Sequence, residues 1–599
     1  MSFAERGFII VFFIISCFLY SDQLLDYYLN SRFLAASFLI LLGILYLSLN
    51  RTSWESKQSG ISHMSFIFGT FILLNFLSII WAKEKSEALF SAQKWLLAGA
   101  SYVVLTTLIS HNRKEATRYI AAISLISTCL VLAIVSFRLI EIGSTSGFSN
   151  DSLYQLQTLF GHKSLISAFI FLLLPLNMLA LQEEKSWLIL FILFWQILVI
   201  LILQSRTVYL CLIVLAMILI PAFYVRIRQI GRISWKQLWL PLVLTVVGVV
   251  LLAQIPDLKD RLNIGDYFKS QTATERQLVW LKTKPLIADH WLLGVGGGNW
   301  KIQFPGNNVE GSYRMQDQNV FFTRAHNDFL EIFAELGVLG LLLYLSLFFH
   351  AVFLLYQTRK QHPWIASMLG AGILGFMLIS FIDFPKERPE FVLLLAMYLA
   401  IAQSHNRKNS QIKVAPVVLK SLWLLIAAGL VFNLISGYGR YKGESFTKKL
   451  LQARVAEDWD RVISLTENAE NTWHHLDPSS VPISFYTGVA YYNLNEKEQA
   501  RQWFLKAHKI APYNFHVLNN LATVEIDGRD YESAILWLDE ALRINSRFED
   551  ALFNLAYCYT QTGDFHKALD VIDQVPSDSD KKKLFRSEIN KRMSETKTN

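Results

Sequence analysis

Cysteine is scarce: the chain has four in 599 residues. Cys17, Cys129 and Cys211 fall in apolar runs and Cys558 stands alone near the end. Neither a disulfide framework nor paired zinc-ligand spacing is therefore available. Charge is scarce too. Asp, Glu, Lys and Arg make up 17% of the chain, where a soluble globular chain carries about 25%. With 53% apolar residues and 42 Phe, 16 Trp and 23 Tyr, that deficit excludes an ordinary soluble enzyme and a disordered chain. The net charge of +8 is spread over short segments between apolar runs, not gathered into a patch, so no nucleic-acid partner is expected.

Long apolar runs are what the chain has in their place. Thirteen of them, near 6–20, 33–50, 64–82, 95–110, 119–137, 164–182, 187–204, 207–225, 237–254, 336–357, 364–383, 390–404 and 417–437, are each long enough to cross or nearly cross a bilayer. The seventh and eighth are separated only by Gln204-Ser205-Arg206 and read as two spans joined by a tight turn. The first resembles a signal-peptide core, but Tyr20-Ser21-Asp22-Gln23 offers no small-residue cleavage site, so it reads as a retained anchor. With the N-terminus cytoplasmic, the cytoplasmic loops carry 15 Lys and Arg against 9 in the short outer loops, a bias that supports this orientation. Thirteen spans then put the loop 255–335 and the tail outside.

The tail from Tyr438 onward is polar, helical in period, and repeats every 34 residues. Ala500, Ala534 and Ala568 are equivalent, as are Gly488, Ala522 and Ala556, and Ala507, Ala541 and Val575. Small residues at these places let the two helices of a hairpin approach closely, which is the tetratricopeptide pattern. The expected architecture is all-α. Membrane helices 1–9 occupy 1–254, a large extracytoplasmic loop 255–335, membrane helices 10–13 occupy 336–437, and an α-solenoid 438–599, with repeats near 481–514, 515–548 and 549–582. Such a solenoid offers a surface for a protein partner, or else it braces the outer loop.

Polar motifs gather on the expected outer side. They are Gly161-His162-Lys163-Ser164, Gln204-Ser205-Arg206, Arg276 through Trp280, Asp289 through Trp300 with its Gly294–Gly298 turn, and Arg324-Ala-His326-Asn327-Asp328-Phe-Leu330 running on to Glu335-Leu-Gly337. The glycine turn lacks the strand–turn–helix setting and the Lys-Ser/Thr of a phosphate loop; a close approach of Gly296 to lipid or sugar is expected there. His290, His474 and His475 have no partners at metal spacing and no acidic triplet appears outside, so neither a metal nor another cofactor is expected.

In this order the motifs resemble the O-antigen ligase (Wzy_C) superfamily, polytopic bacterial glycosyltransferases of the GT-C type. The resemblance covers roughly residues 64–404 and is most specific at His326-Asn-x-x-Leu-x-x-x-x-Glu-Leu-Gly337. It implies a glycan donor on undecaprenyl pyrophosphate and a hydroxyl-bearing glycolipid, glycan or protein as acceptor. Arg206 and Arg276 match the family's pyrophosphate-binding arginines, as suits an always-charged bidentate donor. His326 matches the residue that deprotonates or orients the acceptor. The alternative for Arg206 is a snorkelling anchor, and its place between two apolar runs favours the functional reading; without the resemblance, Arg276 reads equally as a surface residue. His162 and Lys163 line a donor cavity or form an interfacial pair. Arg324 adds charge beside His326 or faces phospholipid heads, and Asn327, next to the histidine, is a candidate residue of the donor or acceptor cavity, as are Arg324 and Gly296. Asp383 is expected to pair with Lys386 or Arg388.

The leading expectation is thus an O-antigen ligase-like transferase, inverting and metal-independent. A protein O-oligosaccharyltransferase and a polysaccharide polymerase are the alternatives within the class. Outside it stand a polyprenyl-glycan transporter, for which paired broken helices with intramembrane charges are missing, and a repeat-domain scaffold, for which one span would suffice.

Overall fold

The computed structural model describes residues 1–49, 60–147, 150–154, 156–182, 187–230, 271–307, 309–406 and 411–598. The ninth apolar run, 237–254, and the start of the outer loop lie outside the described residues. Among the described residues the architecture is all-α apart from one antiparallel pair of three-residue strands, Gly60–Ser62 with Gln411–Lys413. The membrane part comprises α1 (Phe3–Phe18), α2 (Leu29–Leu49), α3 (His63–Ser78), α4 (Lys85–His111), α5 (Arg113–Ser146), α6 (Lys163–Met178), α7 (Trp187–Ile202) and α8 (Arg206–Ile230). The long loop after α8 supplies α9 (Gln271–Asp289), and the bundle continues through α10 (Asp328–Thr358), α11 (Pro363–Ile382), α12 (Pro389–His405) and α13 (Pro416–Val455). Among the described residues seven helices are long and apolar enough to cross a membrane.

Departures from the apolar runs have physical causes. The run 95–110 is only the apolar part of the 27-residue α4. The run 390–404 is short because α12 sits at the centre of the bundle, with every residue from Pro389 to His405 buried. A helix wrapped by protein need not match the lipid thickness. Its mate on one face is α4, and α1, α2, α10 and α11 also pack on it. The break between α7 and α8 falls at 203–205, where Gln204 has φ +53°. The run 417–437 is the first half of a 40-residue helix, so α13 passes without interruption from the bundle into the tail.

The tail continues with α14 (Trp459–Ala469) and then the hairpins α15 (Ile483–Asn493)/α16 (Lys497–Ile510), α17 (Phe515–Asp527)/α18 (Tyr531–Ile544) and α19 (Glu549–Gln561)/α20 (Phe565–Asp573), closed by α21 (Asp580–Thr598). The repeated small residues do what their spacing implies. Ala500, Ala534, Ala568, Ala507 and Ala541 have no exposed surface, and a Cβ on Gly488 would stand 2.6 Å from the Phe504 ring.

The solenoid does not hang free. Its residues Phe515, Leu518, Phe548 and Leu552 share one apolar core with Trp300, Phe304, Met315 and Phe322 of the outer loop. Phe321 stacks on Phe515 at 4.7 Å, and Asn545 Nδ2 donates to Met315 O at 3.0 Å. Arg440 of α13 and Lys301 of the loop both pair with Glu87 of α4, at 2.7 and 2.8 Å. At the seam, His475 Nδ1 meets Glu84 Oε1 at 2.9 Å.

This last pair makes the docking of tail on bundle depend on pH. Burial opposes ionisation of Glu84, but His475 outweighs it and holds the carboxyl below its ordinary 4.5. Its contribution is full above 4.5 and fades as pH falls through the folded value. Burial likewise opposes the charge on His475, but Glu84 outweighs it and raises the imidazole above 6.5. That contribution is full below 6.5 and is lost as pH rises through the folded value. The pair therefore stabilises most between 4.5 and 6.5. Thermal unfolding of the detergent-solubilised chain followed from acid to mildly alkaline pH is expected to show this component. Glu84→Gln should flatten it; an unchanged profile in that variant would show that the pair contributes nothing.

Candidate active site

Three chain segments meet at one end of the bundle. The first is the turn Thr158–Gly161, closed by paired backbone hydrogen bonds and by φ +87° at Gly161. Arg32 grips it, donating to Leu159 O while paired with Glu390 at 3.1 Å, both side chains fully buried. The turn delivers His162 to the N-cap of α6, where its side chain caps nothing. The second segment is 324–327, and the third is 383–388, between α11 and α12.

His326 has φ +52°, a left-handed conformation uncommon for a side-chain-bearing residue and costing about 1–3 kcal/mol. Its neighbours hold it there. Glu331, in the first turn of α10, accepts from Ala325 N at 2.7 Å, Trp280 Nε1 donates to Ala325 O at 2.9 Å, and Asn327 caps α10 by accepting from Leu330 N at 3.0 Å. His326 Nδ1 lies 3.8 Å from Asp383 Oδ1, and Phe384 packs edge-on against the ring at 5.2 Å.

Asp383 is the residue on which the surrounding charges converge. Burial opposes its ionisation, yet His326, Arg276 and His162 outweigh this and hold its carboxyl below the ordinary range. His162 is held low, by burial first and then by the nearby charges of Arg388, His326 and Arg276, against Asp383, which raises it. Arg276 lies one turn before Trp280 on α9, whose indole packs on Phe381 of α11 at 5.8 Å. Among the described residues, Nδ1 of His162, Nδ1 of His326, Nε of Arg276 and both polar atoms of Gln204 are buried without a hydrogen-bond partner.

Arg206 reaches the same end by connectivity. The chain leaves His162 along α6, returns along α7 and turns at 203–205, so α8 begins where α6 began. Trp364, at the start of α11, donates to Met178 O at 3.1 Å. α6 and α11 are therefore antiparallel, and Asp383 follows α11 at the His162 end. The structure thus brings together His326, Arg276 and His162, with Arg206 at the same end.

Four readings of individual residues need correction. Arg324 neither faces lipid heads nor lends free charge to His326. It is locked to Glu387 at 2.7 Å and lies 3.6 Å from Glu331. Burial disfavours its charge, but these carboxylates more than offset it and raise its pKa. Asn327 is a helix cap and not a cavity residue. Gly296, at φ +95°, approaches protein and not lipid or sugar: a Cβ there would stand 2.6 Å from Ala82 Cβ. Asp383 pairs with neither Lys386 nor Arg388. Lys386 is taken by Glu331 and Glu387, each at 2.8 Å, and Arg388 by Asp26 at 2.8 Å. Lys163 is buried with its ammonium 4.5 Å over the Tyr154 ring.

The glycine turn has a structural task. α10 breaks at Gly337 (φ 65°, ψ −169°). The carbonyls of Ala334 and Glu335 are taken by Val295 N at 2.9 Å and Gly296 N at 2.8 Å, and Val338 N donates to Trp291 O at 2.8 Å. Side chains at Gly294 or Gly337 would strike backbone at 2.2 and 2.1 Å. The Glu-Leu-Gly end of the histidine motif is thus a helix break sutured to the glycine turn.

Residues 189–345 match the family described as Wzy_C, O-antigen ligase. Residues 488–514 match a tetratricopeptide repeat, and 527–585 match a family described as anaphase-promoting complex, cyclosome, subunit 3. No curated protein matches the chain. Two solved structures described as MamA MSR-1 and MamA AMB-1 are similar at 15% and 16% identity, covering 25% of this chain and 87% and 88% of theirs, with TM-scores of 0.22 and 0.23; at those scores they carry no argument. The chain is thus a helical membrane protein with a tetratricopeptide tail, and its residues 189–345 are similar to the O-antigen ligase family.

The corrected roles separate by stability. Arg324→Ala leaves Glu387 and Glu331 buried without this partner and is expected to cost about 3–5 kcal/mol. Asn327→Ala removes one cap and is expected to cost about 1 kcal/mol. Thermal unfolding of the two variants beside the parent chain checks the order. Equal and negligible losses would return Arg324 to the group of residues free to act on a ligand.

Proposed function

We propose that this chain transfers a preassembled glycan from undecaprenyl pyrophosphate to an acceptor hydroxyl at the outer face of the bacterial inner membrane. On this reading the N-terminus is cytoplasmic and the tetratricopeptide tail periplasmic. The observation that carries it is the convergence of Arg276, His326, His162 and Asp383 at one end of the bundle, with Arg206 delivered to that end by the α7–α8 turn. The family match supports the reaction class.

The chemistry follows from those groups. The acceptor oxygen attacks the anomeric carbon as the bond from that carbon to the pyrophosphate oxygen breaks, and the electron pair leaves with the phosphate. Attack from the face opposite the leaving group inverts the centre and needs no covalent enzyme intermediate. Arg206 and Arg276 meet the charge growing on the departing oxygen, the largest catalytic contribution expected in such a site. They supply as fixed cations what a metal would otherwise supply. His326 receives or orients the acceptor proton. Asp383, on the Nδ1 side, directs the other ring nitrogen to the acceptor and favours the imidazolium as it forms.

The test is deletion in the host and complementation with the parent gene or with His326→Ala, Arg276→Ala, Arg206→Ala or Asp383→Asn, each checked for expression. Surface glycans and glycoproteins are then blotted side by side. The alanine variants are expected to lose transfer by at least about 10²-fold. Asp383→Asn should retain the fold and lose activity with an altered pH profile. Which product disappears names the acceptor: long lipopolysaccharide, polymer length or protein-linked glycan. Full complementation by every variant would remove the site assignment, and an unchanged glycan profile in the deletion strain would remove the transferase reading.

A further inference from the structure

The solenoid carries a cleft of about 500 Å³, within the range of small-molecule sites. It opens between α16 and α18, the second helices of successive hairpins, with Glu525 of α17 between them. Tyr513, Trp537 and His508 bring three rings to its wall, Pro512 and Leu536 bring aliphatic surface, Arg501 and Glu540 bring charge, and Ser533 lines it too. The His508 and Trp537 rings stand at 72° with centroids 5.2 Å apart.

The charges cancel in place. Arg501 Nε donates to Glu525 at 2.8 Å, and Glu540 is paired with Arg543 at 2.7 Å. Burial first, and the Lys83 ammonium second, hold His508 below its ordinary pKa and so neutral. His508 Nδ1 is buried and without a hydrogen-bond partner among the described residues. The cleft therefore presents rings, donors and acceptors beside side chains whose charges are paired. A polyanion would meet Glu525 and Glu540, and a cation would meet Arg501. A neutral polyhydroxyl ligand satisfies both: its C–H faces lie on rings, and its hydroxyls donate to carboxylate and accept from guanidinium and imidazole. An added strand needs a sheet edge, which this cleft lacks; the charged and polar groups set among its rings favour a polyhydroxyl ligand over an apolar helix face.

Its position links it to the reaction end. Gly306 of the outer loop packs on the Tyr513 ring, where a Cβ would stand 3.0 Å from three ring atoms, and Arg543 donates to Gly306 O at 3.5 Å. The same loop segment runs on to His326.

We propose that the cleft between α16 and α18 is an oligosaccharide-binding site that holds a neutral stretch of substrate glycan while its end reacts beside His326. The assignment of the glycan as substrate rests on the transferase reading above. The glycan belongs either to the donor or to a glycan acceptor, and both have the chemistry the cleft recognises.

The experiment is isothermal titration of the full chain in detergent. One arm uses the oligosaccharide freed by mild acid from the host's polyprenyl-linked pool, a second the purified core oligosaccharide of the host's lipopolysaccharide, and a third a proline-rich peptide. Free sugars need no transfer step, so the result is independent of catalysis. Binding of either sugar is expected, and the arm that binds names its source. Trp537→Ala removes a ring, while Ser533→Trp fills the cleft without deleting a packed group. Each is expected to weaken binding at least about tenfold, and His326→Ala to leave it unchanged. Sugar binding unaffected by Ser533→Trp, no sugar binding at all, or displacement of the sugar by the peptide would overturn the proposal. If deletion of the gene left every surface glycan unchanged, the transferase reading would fail while the binding result stood.

Discussion

The rest of the reaction end depends on one buried ion network. Glu387 receives Arg324 and Lys386, and it also pairs with Lys94 of α4. Lys386 in turn reaches Glu331 at 2.8 Å and Glu335 at 3.5 Å on α10, and its backbone N–H donates to Asp328 at 3.1 Å. Charges removed from water are costly unless each is matched. Here they are matched across α4, α10 and the α11–α12 connection, so none of these elements can move alone. The segment bearing Asp383 and the segment bearing His326 are the two that the network joins. Their 3.8 Å separation is a consequence of ion pairs that take no part in the chemistry.

A second constraint works on the backbone. The break at Gly337 frees two carbonyls and an N–H in the low-dielectric part of the bundle, where unpaired polar groups are expensive. The turn 291–296 satisfies all three. That suture anchors the loop to α10, and Gly297 N donates to Ser78 Oγ, at the end of α3, at 3.0 Å. The tail then clamps the loop from the other side through Phe515, Asn545 and Tyr513. Bundle, loop and solenoid are thus coupled where the candidate chemistry sits. A device that recruits or holds substrate on the tail acts on a loop already tied to His326.

Much of the candidate site was legible from residue type and position. Arg206, at a polar break between two apolar runs, and His326, at the head of a motif, stood out because a membrane protein uses such groups sparingly. Asp383 was visible but assigned to the wrong partners. Lys386 and Arg388 are nearer in sequence, and only the fold shows both already taken by Glu331, Glu387 and Asp26. Arg324 failed for the same reason, since a cation beside a histidine looks functional until its own carboxylates are seen. Gly296 signalled a close approach correctly, and what approaches is Ala82.

By itself the sequence determined that the chain is a helical membrane protein with a tetratricopeptide tail. Apolar length and a 34-residue period are local properties, set by bilayer thickness and by the spacing of small residues in a hairpin. Tertiary structure alone decided which charges pair, which glycines face backbone, and where the solenoid docks. Those outcomes depend on residues far apart in the chain, such as Lys94 and Glu387 or Gly306 and Tyr513. Their meeting is set by the packing of whole helices, which no local spacing encodes.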